Sequence, residues 1–389
     1  MSVAAAEGGA APPSPDGAVP PGYLQPREWA GEALCPRDEA DLAEAIRGAR
    51  GPLSVQGGGT RGMAGPGRVL SLAGLSGVVL HEPGALTLVA RAGTPLAAVE
   101  AALAAEGQRL AFEPMDHRVL LGTSGEPTIG GVIAANVSGP RRVAVGAARD
   151  FLLGVRFVDG TGTLIRNGGR VMKNVTGYDL TRLVAGAQGA LGVLTEVALK
   201  VLPVPAAEQT LTLRGLDLPQ AVAAMAAALG SPFEVTGAAH DPEAQVTRLR
   251  IEGFAGSVAY RAERLVQVLA PWGHAEAGVA DWASVRDVAD FAGRAEDVWR
   301  VHCRASEAPA LVARAGARAV RLDWGGGLIW ALLPECEDLR VRLGTYTGHA
   351  TLVRGADTAL SRRQPEPAAV AALTQGLRAR FDPRGLFGG

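Results

Sequence analysis

The sequence predicts an α+β protein of two domains. Three observations predict it. At 389 residues the chain is long for a single core. Up to about residue 205, short apolar strands alternate with compact helices. Beyond Pro203 and Pro205 the texture changes to hairpins and longer helices, the pattern of helices laid on one face of a mostly antiparallel sheet. Hydrophobic residues make up 48% and charged residues 20%, which supplies a sizeable core and excludes wholesale disorder. With 38 basic and 39 acidic residues the formal charge is −1, so nothing draws the chain to nucleic acid or an anionic membrane surface. No stretch of about 18 uninterrupted strongly apolar residues occurs, so no transmembrane segment is expected. Cys35, Cys303 and Cys336 form no C-x-x-C pair, which argues against a disulfide framework, a metal-ligand cluster or an iron–sulfur centre of its own. Residues 1–24 are rich in Ala, Gly and Pro and lack the basic and apolar regions of a secretory signal. They read as a disordered leader on a soluble cytoplasmic chain.

The elements follow in order. Residues 38–49 form a helix, with acids in the first turn and Gly51 just past its end. A short strand at 53–55 runs into Gly57-Gly58-Gly59. Strands at 78–80 and 86–90 make a hairpin around Glu82-Pro83-Gly84. Thr94-Pro95 opens an Ala-rich helix as N-cap and first residue, and Gly107 stops it. Strands at 154–158, 164–165 and 192–201 close the domain at 25–205. In the second domain, 206–345, strands are expected at 210–213, 246–251 and 298–302, and helices at 218–229, 258–269, 282–291 and 308–315. A hairpin of 320–324 and 328–332 turns at Gly325-Gly326-Gly327. The segment 346–389 carries a strand at 350–353 and an Arg-bearing helix at 368–380, and is expected to return to the first domain.

Glycine is abundant, at 52 residues, and four clusters sit at strand ends. In Gln56-Gly57-Gly58-Gly59-Thr60-Arg61, successive glycines can turn backbone N–H groups inward into a concavity for phosphate, or make an ordinary tight loop. No helix follows, and no G-K-[ST] closes the loop, so neither the dinucleotide fingerprint nor the P-loop applies. The second cluster is Thr128-Ile129-Gly130-Gly131 followed by a short apolar helical run to Asn136, Ser138 and Gly139. Free N–H groups are expected at its start. The third is Lys173-Asn174-Val175-Thr176-Gly177-Tyr178-Asp179-Leu180. In the fourth, Gly186-Ala187-Gln188-Gly189-Ala190-Leu191-Gly192-Val193-Leu194-Thr195-Glu196, the glycines would let a loop pass close to a flat ligand before a buried strand.

This order of motifs resembles the FAD-binding domain of the vanillyl-alcohol-oxidase (PCMH) type over about residues 30–205. Within that family it is most similar to the FAD-binding E subunits of bacterial glycolate oxidases (glycolate dehydrogenases). Ser138-Gly139-Pro140-Arg141-Arg142, Met172-Lys173-Asn174-Val175, Gly348-His349-Ala350-Thr351-Leu352 and the closing Phe381-Asp382-Pro383-Arg384-Gly385-Leu386-Phe387 carry the narrower resemblance. It implies a bipartite FAD-binding domain followed by an α+β (ferredoxin-like) cap. Gln56, Gly57, Gly58, Gly59, Thr60 and Arg61 would wrap the FAD pyrophosphate, and Thr128, Ile129, Gly130 and Gly131 would approach it from the other side. Asn136, Ser138 and Gly139 would lie near the flavin or its ribityl chain. Gly189, Leu191, Gly192, Val193 and Leu194 would give backbone contacts to the adenine end, while Tyr178 is placed in packing. Covalent members often carry a histidine just after the first cluster. Thr60 stands there, so non-covalent FAD is implied. On the motif reading, Gly58→Asp should abolish FAD retention by setting a carboxylate against pyrophosphate.

Oxidising a 2-hydroxy acid takes a flavin as hydride acceptor, a base for the hydroxyl proton and a cation for the carboxylate. Relatives that do this have an H-x-H pair and a Gly-Asp-rich loop. Here the six histidines form no H-x-H, and His349 is followed by Ala-Thr-Leu. His349 is either a strand-end histidine satisfied by backbone or a remnant of that loop. His302 could line a substrate pocket with Arg304 as carboxylate clamp, or hold a plain sheet position. Arg141 and Arg142 could contact FAD phosphate or face a partner. No catalytic base is assigned. The resemblance implies glycolate oxidation within a multi-subunit enzyme, with chemistry here or on a larger FAD-binding catalytic subunit, and electrons passed to an iron–sulfur subunit serving membrane quinone. The alternatives are a stand-alone FAD-linked D-lactate or other 2-hydroxy-acid dehydrogenase, and a non-catalytic structural subunit.

Overall fold

The computed structural model describes residues 33–62, 65–171, 177–355 and 359–388. The expected leader, Met172, and residues 173–176 of the third glycine cluster lie outside the described residues. The first domain comprises α1 (Glu39–Gly48), β1 (Leu53–Gln56), β2 (Arg68–Ser71), β3 (Val78–Glu82), β4 (Thr87–Arg91), α2 (Leu96–Ala104), β5 (Gln108–Arg109), α3 (His117–Leu121), α4 (Ile129–Ala134), α5 (Arg142–Val145), β6 (Leu152–Val158), β7 (Leu164–Gly168), α6 (Leu180–Val184), β8 (Val193–Lys200) and β9 (Leu202–Pro203). Strands β1 and β2 form a parallel pair, and β3-β4-β8-β6-β7 a separate antiparallel sheet.

Strand β8 sits at the middle of that sheet with apolar clusters on both faces. Val193 packs with Leu42, Ile46 and Leu53, and Leu194 with Val99 and Ile133. A strand covered on both sides reads as an unbroken apolar run, which is how 192–201 announces itself. The opening of α2 differs from expectation. Pro95 holds the cap position, while the buried Thr94 hydroxyl donates to Arg91 O at 2.6 Å and accepts from Gly77 N at 2.9 Å. Thr94 therefore ties the end of β4 to the preceding loop rather than capping the helix.

The second domain comprises β10 (Ala207–Arg214), α7 (Leu218–Leu229), β11 (Val235–Asp241), β12 (Val246–Gly253), α8 (Ala255–Leu269), β13 (Glu276–Gly278), α9 (Trp282–Asp287), β14 (Asp297–Cys303), α10 (Ala308–Ala315), β15 (Ala319–Asp323), β16 (Leu328–Leu333), α11 (Leu339–Leu343) and β17 (Gly348–Arg354); α12 (Ala368–Phe381) follows. Its eight strands form one antiparallel sheet in the order β13-β10-β12-β11-β15-β16-β14-β17. That order is two βαββαβ units, β10 to β13 and β14 to β17, each of ferredoxin-like strand order. They join edge to edge where β11 meets β15 at His240 and Leu322. The cap is thus a ferredoxin-like unit twice over.

Side chains alternate across the sheet. Trp299, Val301, Leu322, Ile329, Ala331 and Leu352 point to one face, into the core shared with α7, α8 and α10. The neighbours between them point the other way, toward the first domain, where Leu328, Trp330 and Leu332 pack with Met115, Leu120 and Leu121. Because β17 pairs with β14, residues 348–354 complete the cap sheet, and its limit lies beyond residue 345. Only the chain after it returns to the first domain. There Phe381 packs against Phe157 with ring centroids 6.0 Å apart, and Leu53 N donates to Leu386 O at 2.8 Å. Asp382 accepts from Leu386 N and Phe387 N, which locks the closing turn beside β1.

Candidate functional site

Strand β1 delivers the first glycine cluster. A Cβ on Gly58 would lie 1.6 Å from Glu126 O, and one on Gly57 2.2 Å from Thr128 Oγ1. These two glycines are required because the loop is pressed against the Glu126 backbone and the Thr128 side chain. Gly58→Asp is therefore first a packing lesion, and it would lose FAD through the fold whatever the carboxylate did. Gly59 differs, at φ +68° with nothing within 4 Å of an added Cβ. The amides of Gly57, Gly58, Gly59, Thr60 and Arg61 donate to no acceptor among the described residues. A row of N–H groups without an acceptor at a glycine turn suits a phosphate.

The second cluster packs against the first but offers less. Ile129 N donates to Thr94 O at 3.0 Å, Gly130 N to Ala92 O at 2.8 Å and Gly131 N to Thr128 Oγ1 at 3.2 Å. The amides expected to be free at the start of α4 are consumed by the end of β4 and by the Thr128 cap. What Thr128–Gly131 presents to a ligand is a close-packed backbone surface. Arg61 reaches across to it and donates to Gly131 O at 2.7 Å.

Between the domains lies a cavity of about 880 Å3, its open mouth included. The first domain contributes Arg61, His117, Asn136, Ser138, Gly139 and Gln188; the cap sheet contributes Arg300, Asp323, Leu328, Trp330 and Thr351; the segment after β17 adds Arg362 and Arg363. Asn136 and Gln188 hold left-handed backbone at φ +50° and +53°, and Trp324 on the cap side at +55°, strain of the kind that gathers at working sites. Asn136 accepts from Arg149 N through its side chain, Ser138 Oγ accepts from Ala148 N, and Trp324 Nε1 donates to Gly139 O across the domain boundary.

The fourth cluster divides. Gly186 N and Gln188 N donate to Ile133 O and Ala134 O, which sets Gln188 in the cavity wall. Leu191, Val193 and Leu194 are buried in the core and Gly192 is pressed against Phe157, so these residues can offer a ligand only backbone.

Burial dominates the electrostatics. It lowers Arg61 and Arg300 to about 10, since neither guanidinium has a carboxylate bound to it. Burial, and then the Arg61 and Arg300 charges, push His117 down to about 3, so its ring is neutral near pH 7. Burial raises the Asp323 carboxyl to about 7, with Glu113 adding to the rise and Trp324 N, Arg250 and Arg300 opposing it. A carboxyl whose folded pKa lies above its unfolded value makes the fold less stable as pH rises between the two. Asp323→Asn should therefore be more stable than the parent above pH 7, with the difference vanishing near pH 4; paired denaturant titrations at the two pH values measure it.

Several expected placements change. Arg300, not Arg304, faces the cavity, because it shares a sheet face with Trp330. His302 is absent from the cavity wall. Its ring stacks on His349 at 4.5 Å and meets Trp324 edge-on at 5.0 Å. Arg141 is held by Glu252 at 2.8 Å and Glu113 at 3.1 Å. Arg142 lies over Trp324. Tyr178 is 89% exposed and does not pack. Among the described residues no group of His, Cys, Asp and Glu could hold a metal ion, and no helix is long and apolar enough to cross a membrane. Sequence reading missed Arg300, Asp323, His117 and Gln188 as wall residues. The one available signal was charge within two largely apolar strands, Arg300 in 298–302 and Arg321 with Asp323 in 319–323.

A glycine turn with free amides beside a cavity roofed by a sheet suits a phosphate-bearing cofactor, and the comparisons name the family as FAD-binding. The family described as FAD binding domain matches residues 32–168. The Escherichia coli K12 glycolate oxidase subunit GlcE is 36% identical over 342 residues, 86% of this chain and 91% of that protein. The chain belongs to this family of FAD-binding oxidoreductase subunits. Bacillus subtilis glycolate oxidase subunit GlcD is 45% identical over 84 residues, which is 18% of its length. D-lactate dehydrogenase of Anaerostipes hadrus is 41% identical over 78 residues, 20% of this chain and 16% of that enzyme. A solved structure of alkyldihydroxyacetonephosphate synthase superposes with a TM-score of 0.68 at 16% identity, over 91% of this chain and 76% of that one, which establishes the shared fold.

Proposed function

We propose that the chain is the FAD-binding subunit of a multi-subunit enzyme that oxidises glycolate to glyoxylate, with FAD held non-covalently between the first domain and the cap. The observation that carries the reading is the free-amide loop 57–61 opening beside the cavity. The loop and Arg61 would hold the pyrophosphate. Asn136, Ser138 and Gly139 would border the ring and ribityl chain, and Gly189 to Leu194 the adenine end. FAD supplies the two-electron acceptor when bound. The chain's residues orient it, exclude water through Leu328 and Trp330, and keep His117 uncharged beside the two arginines. Thr60 offers no nucleophilic ring for a covalent link.

The partners in this reading are a larger FAD-binding catalytic subunit and an iron–sulfur subunit, with the assembly cytoplasmic and reaching the inner membrane through them. Helix α12 supports a partner. None of its residues is buried, and Val370, Leu373 and Leu377 are exposed, Leu373 to 72%. Their i, i+3, i+7 spacing makes one apolar stripe, which a helix normally covers. Co-purification tests the reading: tagged chain should carry flavin absorbance and bring down a second flavoprotein and an iron-containing chain. Leu373→Arg should cut recovery of those partners by about tenfold while the flavin stays. Colourless protein travelling alone would defeat the reading.

A further inference from the structure

We propose that Arg300 is the anion anchor of the interdomain cavity, and that it takes the carboxylate of a small 2-hydroxy acid; this rests on the flavoprotein reading above. Five arginines line the cavity, and four are occupied. Arg61 donates to Gly131 O, Arg286 to Asp287, Arg362 to Val353 O, and Arg363 to Gln188 Oε1. Arg300 is different. Among the described residues its guanidinium makes no hydrogen bond and no ion pair, and its contacts are the faces of Trp324 and Trp330, at 5.3 and 5.7 Å from the ring centroids.

A buried guanidinium with five donors and no acceptor is costly. Two indole faces relieve part of that cost and hold the plane in place, but they accept none of the N–H groups. The edge of the fork is left for a planar, bidentate acceptor, which a carboxylate is. Position separates this anchor from the cofactor's phosphates. The free amides lie on the loop 57–61 of the first domain, whereas Arg300 comes from β14 of the cap, on the opposite wall. Its immediate surroundings there are Leu328, Trp330 and Thr351, a small apolar recess with one hydroxyl. That recess suits a short acid and leaves little for a nucleotide phosphate. Among the described residues Asp323 is the one carboxyl of the wall. In its protonated form it presents no negative charge to repel an incoming anion.

The test uses the full chain and two titrations. FAD is titrated by quenching of its fluorescence. Oxalate, a planar carboxylate with no C–H to oxidise, is then titrated calorimetrically into FAD-loaded chain. The parent should bind both. Arg300→Gln should weaken oxalate by at least about tenfold and FAD by less than about threefold, with Arg300→Lys between the two. Arg264→Gln, an exposed arginine of α8 outside the cavity lining, should stay within about threefold for both. Stability of Arg300→Gln should equal or exceed the parent's, because an unpaired buried cation is removed. The proposal is overturned if Arg300→Gln binds oxalate normally, or if the parent binds FAD but not oxalate. It is also overturned if Arg300→Gln loses FAD and oxalate by the same factor, which would put Arg300 on the cofactor. Should the parent bind no FAD, the flavoprotein reading fails, and oxalate titrated into the unloaded chain still decides the role of Arg300.

Discussion

Replacing Glu252 by alanine is expected to destabilise the protein by about 3–5 kcal/mol, the cost of removing one partner from a buried ion pair. Glu252 lies on β12 of the cap, its side chain 3% exposed, and it accepts from Arg109 Nη1 at 2.6 Å and from Arg141 Nε at 2.8 Å. Arg250, two residues earlier and fully buried, pairs with Glu113 at 2.9 Å and also lies 3.7 Å from Glu252. Arg109, Glu113 and Arg141 belong to the first domain and Arg250 and Glu252 to the cap, so this cluster bolts one domain to the other. Burial alone would raise the Glu252 carboxyl, but the guanidiniums of Arg141, Arg250 and Arg109 outweigh it and hold it at about 2. A depressed carboxyl stabilises the fold above its unfolded pKa and ceases to do so as pH falls through the folded one. The parent should therefore lose stability between about pH 4.5 and pH 2, while Glu252→Ala shows a shallower loss there. Glu252→Gln keeps the acceptor without the charge and should fall between them. Urea unfolding at neutral and acid pH, followed by limited proteolysis at the domain boundary, reads both effects. A Glu252→Ala protein as stable as the parent at pH 7 would show that the cluster does not hold the domains together.

The first domain was largely legible because its signals are local. Strand 192–201 is buried on both faces and so appears as an apolar run, and Gly58 and Gly130 have no substitute where a neighbouring backbone lies within 3 Å of an added Cβ. The cap was legible as a class only. Strand β11 reads Val-Thr-Gly-Ala-Ala-His-Asp, with no alternation and little β-branching, and it passed unnoticed. Without it the first βαββαβ unit cannot be paired, and the internal repeat stays hidden. The site divides the same way. Residues that offer backbone were visible as glycines. Arg300 and Asp323, which offer side chains, become a site only when β14, β15 and β16 are registered side by side, a long-range fact that no local pattern encodes. Arg304, the clamp the sequence suggested, lies past the end of β14 at Cys303, whereas Arg300 sits within the strand opposite Trp330 and lines the cavity. Thr94 misled for a related reason. Its sequence context is that of a helix cap, but the nearby carbonyls of Gly77 and Arg91 compete for its hydroxyl and win.

Gly59→Asp is expected to lower FAD affinity by roughly ten- to a hundredfold while the protein stays folded, which the change first suggested, Gly58→Asp, cannot do. At Gly58 any side chain meets Glu126 O at 1.6 Å. Even Gly58→Ala must push two backbones apart, at about 3 kcal/mol or more, so loss of flavin there says nothing about charge. Gly59 is one residue on, with open space before it and φ +68°. Asp and Asn enter that region more readily than other side chains, at about 1 kcal/mol. The pair Gly59→Asp and Gly59→Asn therefore shares shape and strain and differs only in charge. If the free amides of 57–61 face the pyrophosphate, the carboxylate repels it and the amide does not, and Asn should retain FAD within about threefold of the parent. The repulsion should also shrink as salt is raised, because a loop open to solvent is screened. Equal FAD affinity in the two variants, measured with matched circular dichroism and unfolding curves, would move the phosphates away from this loop and leave the first cluster as a packed turn.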